Sequence, residues 1–255
     1  MSQWILLRGL TRETRHWDGF PALLGSALAA GQAESAVTLL ELPGNGLEAA
    51  RQAPLSVVSM MSQVRSSAAD LGLRAPYRIL AMSLGGMVAT AWAQHYPHEV
   101  ERLVLVNTSM QPFCRITERL RPGAWPALAR LALSWRNPGV CERLIHAYTC
   151  NRRDTLDADL AAWAAIRRTA PVSATNGLRQ LWAAARFQAE REAPRCPTLL
   201  LSSNLDRLVN PVCSALIAAQ WGVEHVAHPW AGHDLPHDDP AWTSNTIEAW
   251  LRSLA

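Results

Sequence analysis

Three side chains of the types needed for nucleophilic catalysis occur along the chain in the order Ser83, Asp206 and His233. A serine hydroxyl is a poor nucleophile near neutral pH, so an imidazole must remove its proton. A carboxylate must in turn hold the imidazole in one tautomer and stabilise its charged form. Serine, acid and histidine follow one another in the order known for such a triad on a parallel sheet, so these residues predict acyl-transfer chemistry.

The residues around Ser83 fit a sharp turn between a strand and a helix. The stretch "AMSLGG" places Ala81 two residues before the serine and Gly85 two residues after it. Such a turn needs small side chains at both positions because larger ones would collide, and alanine meets this need. The helix that follows directs free N–H groups towards a developing negative charge. A small residue that only packs where a strand meets a helix is the alternative interpretation.

Two backbone N–H groups are candidates for stabilising the oxyanion of such a reaction. Gly9 follows the first apolar segment and allows the chain to bend across the end of a sheet, so that the N–H of Leu10 could face Ser83. The second candidate is the N–H of Leu84, directly after the nucleophile. Gly9 is equally compatible with an ordinary connection from a strand to a loop.

The other titratable residues near His233 are a weak indication of a metal site. His237 lies four residues beyond His233 among three aspartates, but Pro236 prevents the two histidines from sharing one helix. The five cysteines are widely spaced and form no C-x-x-C pair, so neither a zinc site nor a disulfide framework is indicated. We therefore expect no metal, no other cofactor, and reduced thiols.

Composition and charge exclude several classes of protein. The chain has 255 residues, of which 49% are hydrophobic and 18% charged, which is typical of a globular protein with a sizeable core. The net charge of +3 is small and its basic residues are scattered, which argues against a nucleic-acid partner. No apolar stretch approaches the roughly 20 residues of a membrane span, and no signal peptide is recognisable. We therefore expect a cytoplasmic protein.

The catalytic candidates follow short apolar segments that are typical of buried parallel strands. The segments are residues 4–7, 36–42, 77–82, 102–107, 197–203 and 223–228. Between them lie amphipathic stretches such as 55–72 and 241–254, which predict helices. The alternation predicts an α/β fold with a doubly wound, mainly parallel sheet of about six strands. Functional groups of such sheets gather beyond the carboxyl ends of the strands.

One long segment interrupts the alternation of strands and helices. No strand candidate occurs between residues 107 and 197, and this distance is too long for a loop in a compact domain. Its patterns are helical instead. We expect an inserted helical subdomain over residues 112–190, within a core formed by residues 1–111 and 191–255.

Together these segments resemble the α/β-hydrolase fold superfamily over essentially the whole chain. The resemblance rests on "RGL" (8–10), "LPGNG" (42–46), "AMSLGGM" (81–87), "LVLVNTS" (103–109), "SSNLDRLV" (202–209) and "AGHDLP" (231–236). It implies that Ser83 is the nucleophile, Asp206 the acid and His233 the base, with the Leu10 and Leu84 amides as the oxyanion hole. The family often has histidine where this chain has arginine at position 8, and we expect that arginine to add a charge near the mouth of the site.

The inserted helices resemble the cap, or lid, that shapes the substrate pocket in this superfamily. Four tryptophans of this segment could line an apolar pocket, although packing of the cap on the core explains each of them at least as well: Trp125, Trp135, Trp163 and Trp182. Trp125 and Trp163 are the two candidates for substrate contact. Arg115 and Arg119 are one helical turn apart and could hold an anionic group, such as a carboxylate or the phosphate of an acyl carrier. A solvated basic face is the alternative for the two arginines.

The resemblance implies a serine hydrolase that cleaves a carboxylic ester or thioester of a small to medium, partly apolar acyl substrate through an acyl-enzyme. An acyltransferase or a metal-free perhydrolase would use the same triad. A non-catalytic ligand-binding protein that retains the hydrolase fold is an alternative from a different class. The sequence alone leaves these alternatives open.

Overall fold

A single six-stranded parallel sheet forms the centre of the molecule. The computed structural model describes residues 3–29 and 36–254. The strands are β1 (Gln3–Leu7), β2 (Ala36–Leu40), β3 (Tyr77–Met82), β4 (Val100–Val106), β5 (Thr198–Ser203) and β6 (Glu224–His228). They are ordered β2-β1-β3-β4-β5-β6, and every neighbouring pair is parallel. The predicted α/β-hydrolase fold is confirmed.

The strands form where the sequence is apolar on both faces. In β1, Ile5 and Leu7 pack into the core on one side of the sheet, while Trp4 and Leu6 pack into the core on the other side. All four side chains are fully buried. Burial of each such side chain stabilises the fold by about 1.5–3 kcal/mol, which explains why β1 is apolar at consecutive positions.

Helices cover both faces of the sheet. They are α1 (Phe20–Ala29), α2 (Val57–Asp70), α3 (Leu84–His95), α4 (Ile116–Arg119), α5 (Trp125–Leu133), α6 (Pro138–Thr149), α7 (Leu156–Thr169), α8 (Ala174–Arg186), α9 (Val212–Trp221), α10 (Leu235–Asp238) and α11 (Pro240–Ser253). Helices α1 and α11 pack together on one face, and α2 and α3 pack together on the other. Among the described helices, none combines the length and apolar character needed to cross a bilayer.

The chain between β4 and β5 contains helices α4 to α8, where the sequence predicts an inserted helical segment. Helix α5 contributes no buried side chain, and its Trp125 and Leu133 are 49% and 90% exposed. Helix α8 is attached to the core through its polar side chains. Asn176 accepts a hydrogen bond from the Ala53 N–H and donates to the Arg51 carbonyl. The division of the chain into core and cap over the stated ranges stays a prediction.

Candidate active site

Ser83 lies in a sharp turn between β3 and α3. Its backbone has φ 51° and ψ −117°, a conformation that L-residues rarely adopt. The surrounding structure holds this turn in place: the Ser83 N–H donates to the Val106 carbonyl at 3.0 Å, and the Thr108 hydroxyl donates to the Ser83 carbonyl at 2.8 Å. Strained backbone of this kind is characteristic of functional sites.

Close approach of backbone to backbone explains the glycine after the serine. A Cβ atom on Gly85 would lie 2.5 Å from the Arg8 carbonyl oxygen and 2.7 Å from the Leu7 carbonyl oxygen. No side chain fits there unless β1 moves. Ala81 lies two residues before the serine and is fully buried in β3. The requirement for small residues on both sides of Ser83 therefore has a steric cause.

The loop after β1 lies directly against Ser83. A Cβ atom on Gly9 would be 3.2 Å from the Ser83 Cβ and 3.8 Å from its hydroxyl oxygen. Leu10 and Leu84 both line the cavity that contains Ser83. The Leu84 N–H belongs to the first turn of α3, whose N–H groups have no partner within the helix. The loop after β1 and the first turn of α3 thus both lie beside the serine.

Asp206 and His233 form a buried hydrogen-bonded pair. Asp206 follows β5 and His233 follows β6, and His233 Nδ1 donates to Asp206 Oδ2 at 2.6 Å. The other carboxylate oxygen of Asp206 accepts from the N–H groups of Leu208 at 2.7 Å and Val209 at 2.9 Å. Since a carboxylate only accepts, the pair places the imidazole proton on Nδ1 and leaves the lone pair on Nε2.

His233 and Ser83 line the same cavity. In the described part of the chain no hydrogen bond joins the two side chains, as is common where such bonds tighten only with substrate. Burial acts to lower the pKa of His233, but the charge and hydrogen bond of Asp206, with the charge of Asp234, raise the pKa above its usual value. This electrostatic environment favours an imidazole that accepts a proton from a neighbouring hydroxyl.

Asn107 fixes the loop that carries His233, and the sequence did not reveal this role. It directly follows β4, adopts φ 46° and is buried. Its amide group donates to the carbonyl of His233 at 2.7 Å and to the Ser203 hydroxyl at 3.0 Å, and accepts from the Ser203 N–H at 2.9 Å. Asparagine at the carboxyl end of a central strand is the signal that could have indicated this role.

Gln180 of α8 is a second residue with a role that sequence reasoning missed. It is fully buried, and its side-chain oxygen accepts from the Thr11 N–H at 2.9 Å. Its amide nitrogen donates to the Pro43 carbonyl at 3.0 Å and to the Asn45 side chain at 2.8 Å. Gln180 therefore joins the loop after β1 to the "LPGNG" turn.

Arg8 borders the cavity that contains Ser83, but its charge is paired, so the expectation of an added charge near the mouth of the site was wrong. It is only 3% exposed and forms two hydrogen bonds with the carboxylate of Asp234, at 3.0 and 2.6 Å. Its guanidinium group also stacks on the Trp17 ring at 4.7 Å. Burial acts to raise the pKa of Asp234, but the charge and hydrogen bonds of Arg8 lower it to about 2. The two charges neutralise each other beside His233.

An apolar cavity with two lobes lies above Ser83. The lobes share Ser83, Leu10 and Leu128 among their walls. The first lobe also contacts His233 and is lined by Ile145 of α6, with an empty volume of about 750 Å³. The second lobe is lined by Met87 of α3, Leu181 of α8 and Trp135 of the loop after α5, with an empty volume of about 1070 Å³. Both volumes include open solvent and are of the size that binds small molecules.

The structure does not bring together the guanidinium groups of the two arginines that we expected to bind an anionic group. Arg115 is exposed, whereas Arg119 is only 7% exposed and donates to the Ala185 carbonyl at 3.1 Å and to the Ala184 carbonyl. Arg119 lines the second lobe but uses its guanidinium to hold the end of α8. A shared anion site at Arg115 and Arg119 is therefore not formed.

The two tryptophans proposed for substrate contact do not line the described cavity. Trp125 is half-exposed, and its indole N–H donates to the Leu120 carbonyl at 3.3 Å. Trp163 is buried against the Arg12 guanidinium, which lies 4.4 Å from its ring centre. Trp135 lines the second lobe instead. The packing of the helices decides which tryptophan faces the cavity, and the assignment of Trp125 and Trp163 to substrate binding stays a prediction.

Comparison with known proteins identifies the family. The sequence profile of the family described as serine aminopeptidase, S33, matches residues 32–238, which is more than half of the chain. The chain belongs to this hydrolase family. No curated protein sequence matches this S33-family chain.

Solved structures share the fold of this S33-family protein. A bacterial membrane phospholipase A is 22% identical with a TM-score of 0.80, and the match covers 99% of this chain and 79% of the other. An esterase from Thermogutta terrifontis is 22% identical (TM-score 0.71; 99% and 90% covered). An enol-lactonase from Burkholderia xenovorans LB400 is 18% identical (TM-score 0.74; 99% and 92% covered). At these identities the likeness extends to the fold.

Proposed function

We propose that this protein is a serine hydrolase that cleaves a carboxylic ester with a small to medium, apolar acyl group. The observation that carries the proposal is the position of Ser83. It lies in a strained turn at the floor of an apolar cavity that His233 also lines, and His233 is paired with the buried Asp206. Esters and lactones are also the substrates that the names of two structural neighbours indicate for those proteins.

In the proposed reaction, the Ser83 oxygen forms a bond to the ester carbonyl carbon while His233 Nε2 accepts the hydroxyl proton. Asp206 stabilises the imidazolium that forms, through its hydrogen bond to Nδ1. The imidazolium then donates its proton to the leaving alcohol as the carbon–oxygen bond breaks. Water attacks the acyl-enzyme with His233 again as base, which releases the acid and restores Ser83.

The N–H groups of Leu10 and Leu84 supply the oxyanion hole in this proposal. The contact of Gly9 with Ser83 sets the first donor, and the start of α3 sets the second. A donor that is already in place costs no reorganisation when the charge develops. One such hydrogen bond contributes about 2.7–4 kcal/mol to the lowering of the barrier.

The two lobes give the ester an orientation. His233 must protonate the leaving oxygen, so the leaving group has to lie on the side of Ser83 where His233 lies. That side is the first lobe, which contains Ile145. The acyl chain then occupies the second lobe, which contains Leu181 and Trp135. Both lobes are predominantly apolar, which favours uncharged substrate groups on both sides of the ester.

The same cavity argues against the peptidase activity that the family's description names. An aminopeptidase must hold the free ammonium group of its substrate, which requires an acidic partner. Among the residues that line the two described lobes, Asp234 is the one acidic side chain, and Arg8 already neutralises it. A thioester carried by an acyl carrier would use the same catalytic residues, so it belongs among the test substrates.

The test is a matrix of p-nitrophenyl and alkyl esters that differ in acyl length and in alcohol length, together with matched thioesters. In the variant Leu181→Trp, kcat/KM should fall for long acyl chains while the dependence on alcohol length is unchanged. Ile145→Trp is the matched variant in the first lobe and should change only the dependence on alcohol length. Folded wild-type protein that hydrolyses no ester or thioester in the matrix would contradict the proposed activity. The same dependence in both variants would contradict the orientation.

A further inference from the structure

A group of metal-binding side chains lies outside the proposed catalytic residues, where α6 meets α10. It consists of His146, Cys150 and His237, and one possible ligand atom from each lies within 4.8 Å of the others. His146 lies in the last turn of α6, and Cys150 directly follows that helix, where its backbone N–H donates to the His146 carbonyl at 2.9 Å. His237 comes from α10, the short helix that follows the His233 loop.

An orphaned nitrogen is the second observation that points to a ligand. His146 is fully buried, and its Nδ1 has no hydrogen-bond partner in the described part of the chain. Its Nε2 lies 3.3 Å from Asp159 Oδ2. Since a carboxylate only accepts, this bond puts the proton of neutral His146 on Nε2 and leaves a lone pair on Nδ1. A buried lone pair without a donor is costly unless something binds it.

Asp159 orients both histidines. The Nε2 of His237 also lies close to Asp159 Oδ2, at 3.1 Å, and the Thr155 hydroxyl donates to the same oxygen at 2.8 Å. A carboxylate that accepts the outer N–H of ligating histidines is the usual outer partner of a metal site, because it fixes the tautomer that offers the other nitrogen. Trp163 packs against both imidazoles, with ring centres 5.3 and 5.1 Å apart.

The donor set decides the class of metal. Two neutral imidazoles and one thiol are ligands for a borderline or soft transition ion, and they are poor ligands for Mg²⁺ or Ca²⁺. Binding converts the Cys150 thiol to a thiolate and releases its proton to solvent. Three protein ligands leave one position of a tetrahedral ion for a water molecule or another donor.

We propose that His146, Cys150 and His237 bind one transition-metal ion of the Zn²⁺ class, and that this ion fastens the helical segment to the loop that carries His233. The two parts already touch beside the cluster, where the Asp234 N–H donates to the Thr149 carbonyl at 2.7 Å. Thr149 also lines the first lobe of the cavity. The ion therefore stabilises the wall of the cavity without contact to Ser83, and this proposal does not depend on the reaction catalysed there.

The experiment uses the full chain after removal of metals with a chelator. Titration with Zn²⁺ by calorimetry should give one equivalent bound, and the melting temperature should rise with the Zn²⁺ concentration. Titration with Co²⁺ should give the absorption bands of a tetrahedral ion and a thiolate-to-cobalt charge-transfer band. Wild-type protein that binds neither ion, or binds Co²⁺ without the thiolate band, would overturn the proposal.

Matched variants locate the site. Cys150→Ser should abolish the charge-transfer band and weaken Zn²⁺ binding at least tenfold, whereas Cys196→Ser, a half-buried cysteine of the loop before β5, should retain both. Asp159→Asn should weaken binding about 10–100-fold, because the outer partner of the histidines is altered. Unchanged Zn²⁺ affinity in Cys150→Ser and in His146→Ala would refute the assignment. If Cys150→Ser does not fold, the cobalt spectrum of the wild type still decides the matter.

Discussion

Asn107 provides a sensitive test of how the site is held together. It joins the carboxyl ends of β4 and β5 to the His233 loop by hydrogen bonds to the Ser203 backbone and hydroxyl and to the His233 carbonyl. It does so from a left-handed backbone conformation, φ 46°, which asparagine tolerates better than most residues. Substitution by alanine removes these hydrogen bonds and also places an unfavourable residue in that conformation.

The magnitude follows from the groups left without partners. In Asn107→Ala, the Ser203 N–H and the His233 carbonyl lose their partner in a buried environment, which costs about 1–3 kcal/mol each. Alanine with positive φ adds about 1–2 kcal/mol. The expected loss of unfolding free energy is therefore about 3–8 kcal/mol, a large part of the stability of a typical domain.

Urea unfolding measures this loss, and Asn107→Gly is the matched control. Glycine loses the same side-chain hydrogen bonds but adopts positive φ without strain. The glycine variant should therefore be at least as stable as the alanine variant, although glycine is usually less stable than alanine by about 0.5–1 kcal/mol. The rate at which a fluorophosphonate labels Ser83 in the folded variants should fall on the order of 100-fold, because His233 is no longer held in place.

The reasoning about Asn107 fails if Asn107→Ala unfolds within about 0.5 kcal/mol of the wild type, the range of an ordinary surface substitution. It also fails if the alanine variant is clearly more stable than the glycine variant, since the backbone conformation would then carry no cost. An unchanged labelling rate at Ser83 would show that the His233 loop does not need this anchor.

Two further predictions concern charged residues of the site. Asp206→Asn should lower kcat for p-nitrophenyl butyrate by about 10³–10⁴-fold. The acid limb of its kcat/KM–pH profile should move to lower pH, because the carboxylate that raises the pKa of His233 is gone. Unchanged rates would assign the role of the acid to another residue. Arg8→Met should lower the urea-unfolding free energy by about 3–5 kcal/mol because Asp234 stays buried without a partner, and adding Asp234→Leu should restore most of it. An equal loss in the double variant would contradict the pairing. Since the pKa of Asp234 is lowered to about 2, the stability from this pair is complete above pH about 4 and is lost as the pH falls through about 2.

The sequence was sufficient to predict the strands of the sheet and the strand that each catalytic candidate follows. Short apolar segments at consecutive positions are typical of strands that are buried on both faces, so β1 and β3 could be placed to within a few residues. Because parallel strands present their carboxyl ends at one edge, residues that follow different strands meet there. Asp206 and His233 are 27 residues apart in the chain and are hydrogen-bonded for this reason.

The helical segment between β4 and β5 could not be predicted in the same way. Trp135 and Trp163 both lie in this segment, and the choice between them for the cavity depends on how the helices pack. The role of Gln180 depends on contacts with loops more than 100 residues away, since its partner Thr11 is 169 residues earlier. No local pattern in the sequence records such contacts.

The pairing of Arg8 and the grouping of His146, Cys150 and His237 could not be predicted from the sequence either. An arginine after a strand reads as exposed charge, because its buried partner Asp234 is 226 residues away. Likewise, Pro236 argues correctly against a helix that contains both His233 and His237, yet His237 meets His146 and Cys150 from another helix. A group of possible ligands that comes from separate parts of the chain has no spacing rule in the sequence.

Labelling with a fluorophosphonate probe, followed by intact-protein mass spectrometry and peptide mapping, tests the central claim most directly. The account predicts that the folded wild-type protein gains the mass of one adduct, located on Ser83. Ser83→Ala should gain none, and His233→Ala should react far more slowly. A folded wild-type protein that gains no adduct, or one whose adduct lies on another residue, would contradict the assignment of Ser83 as an activated nucleophile.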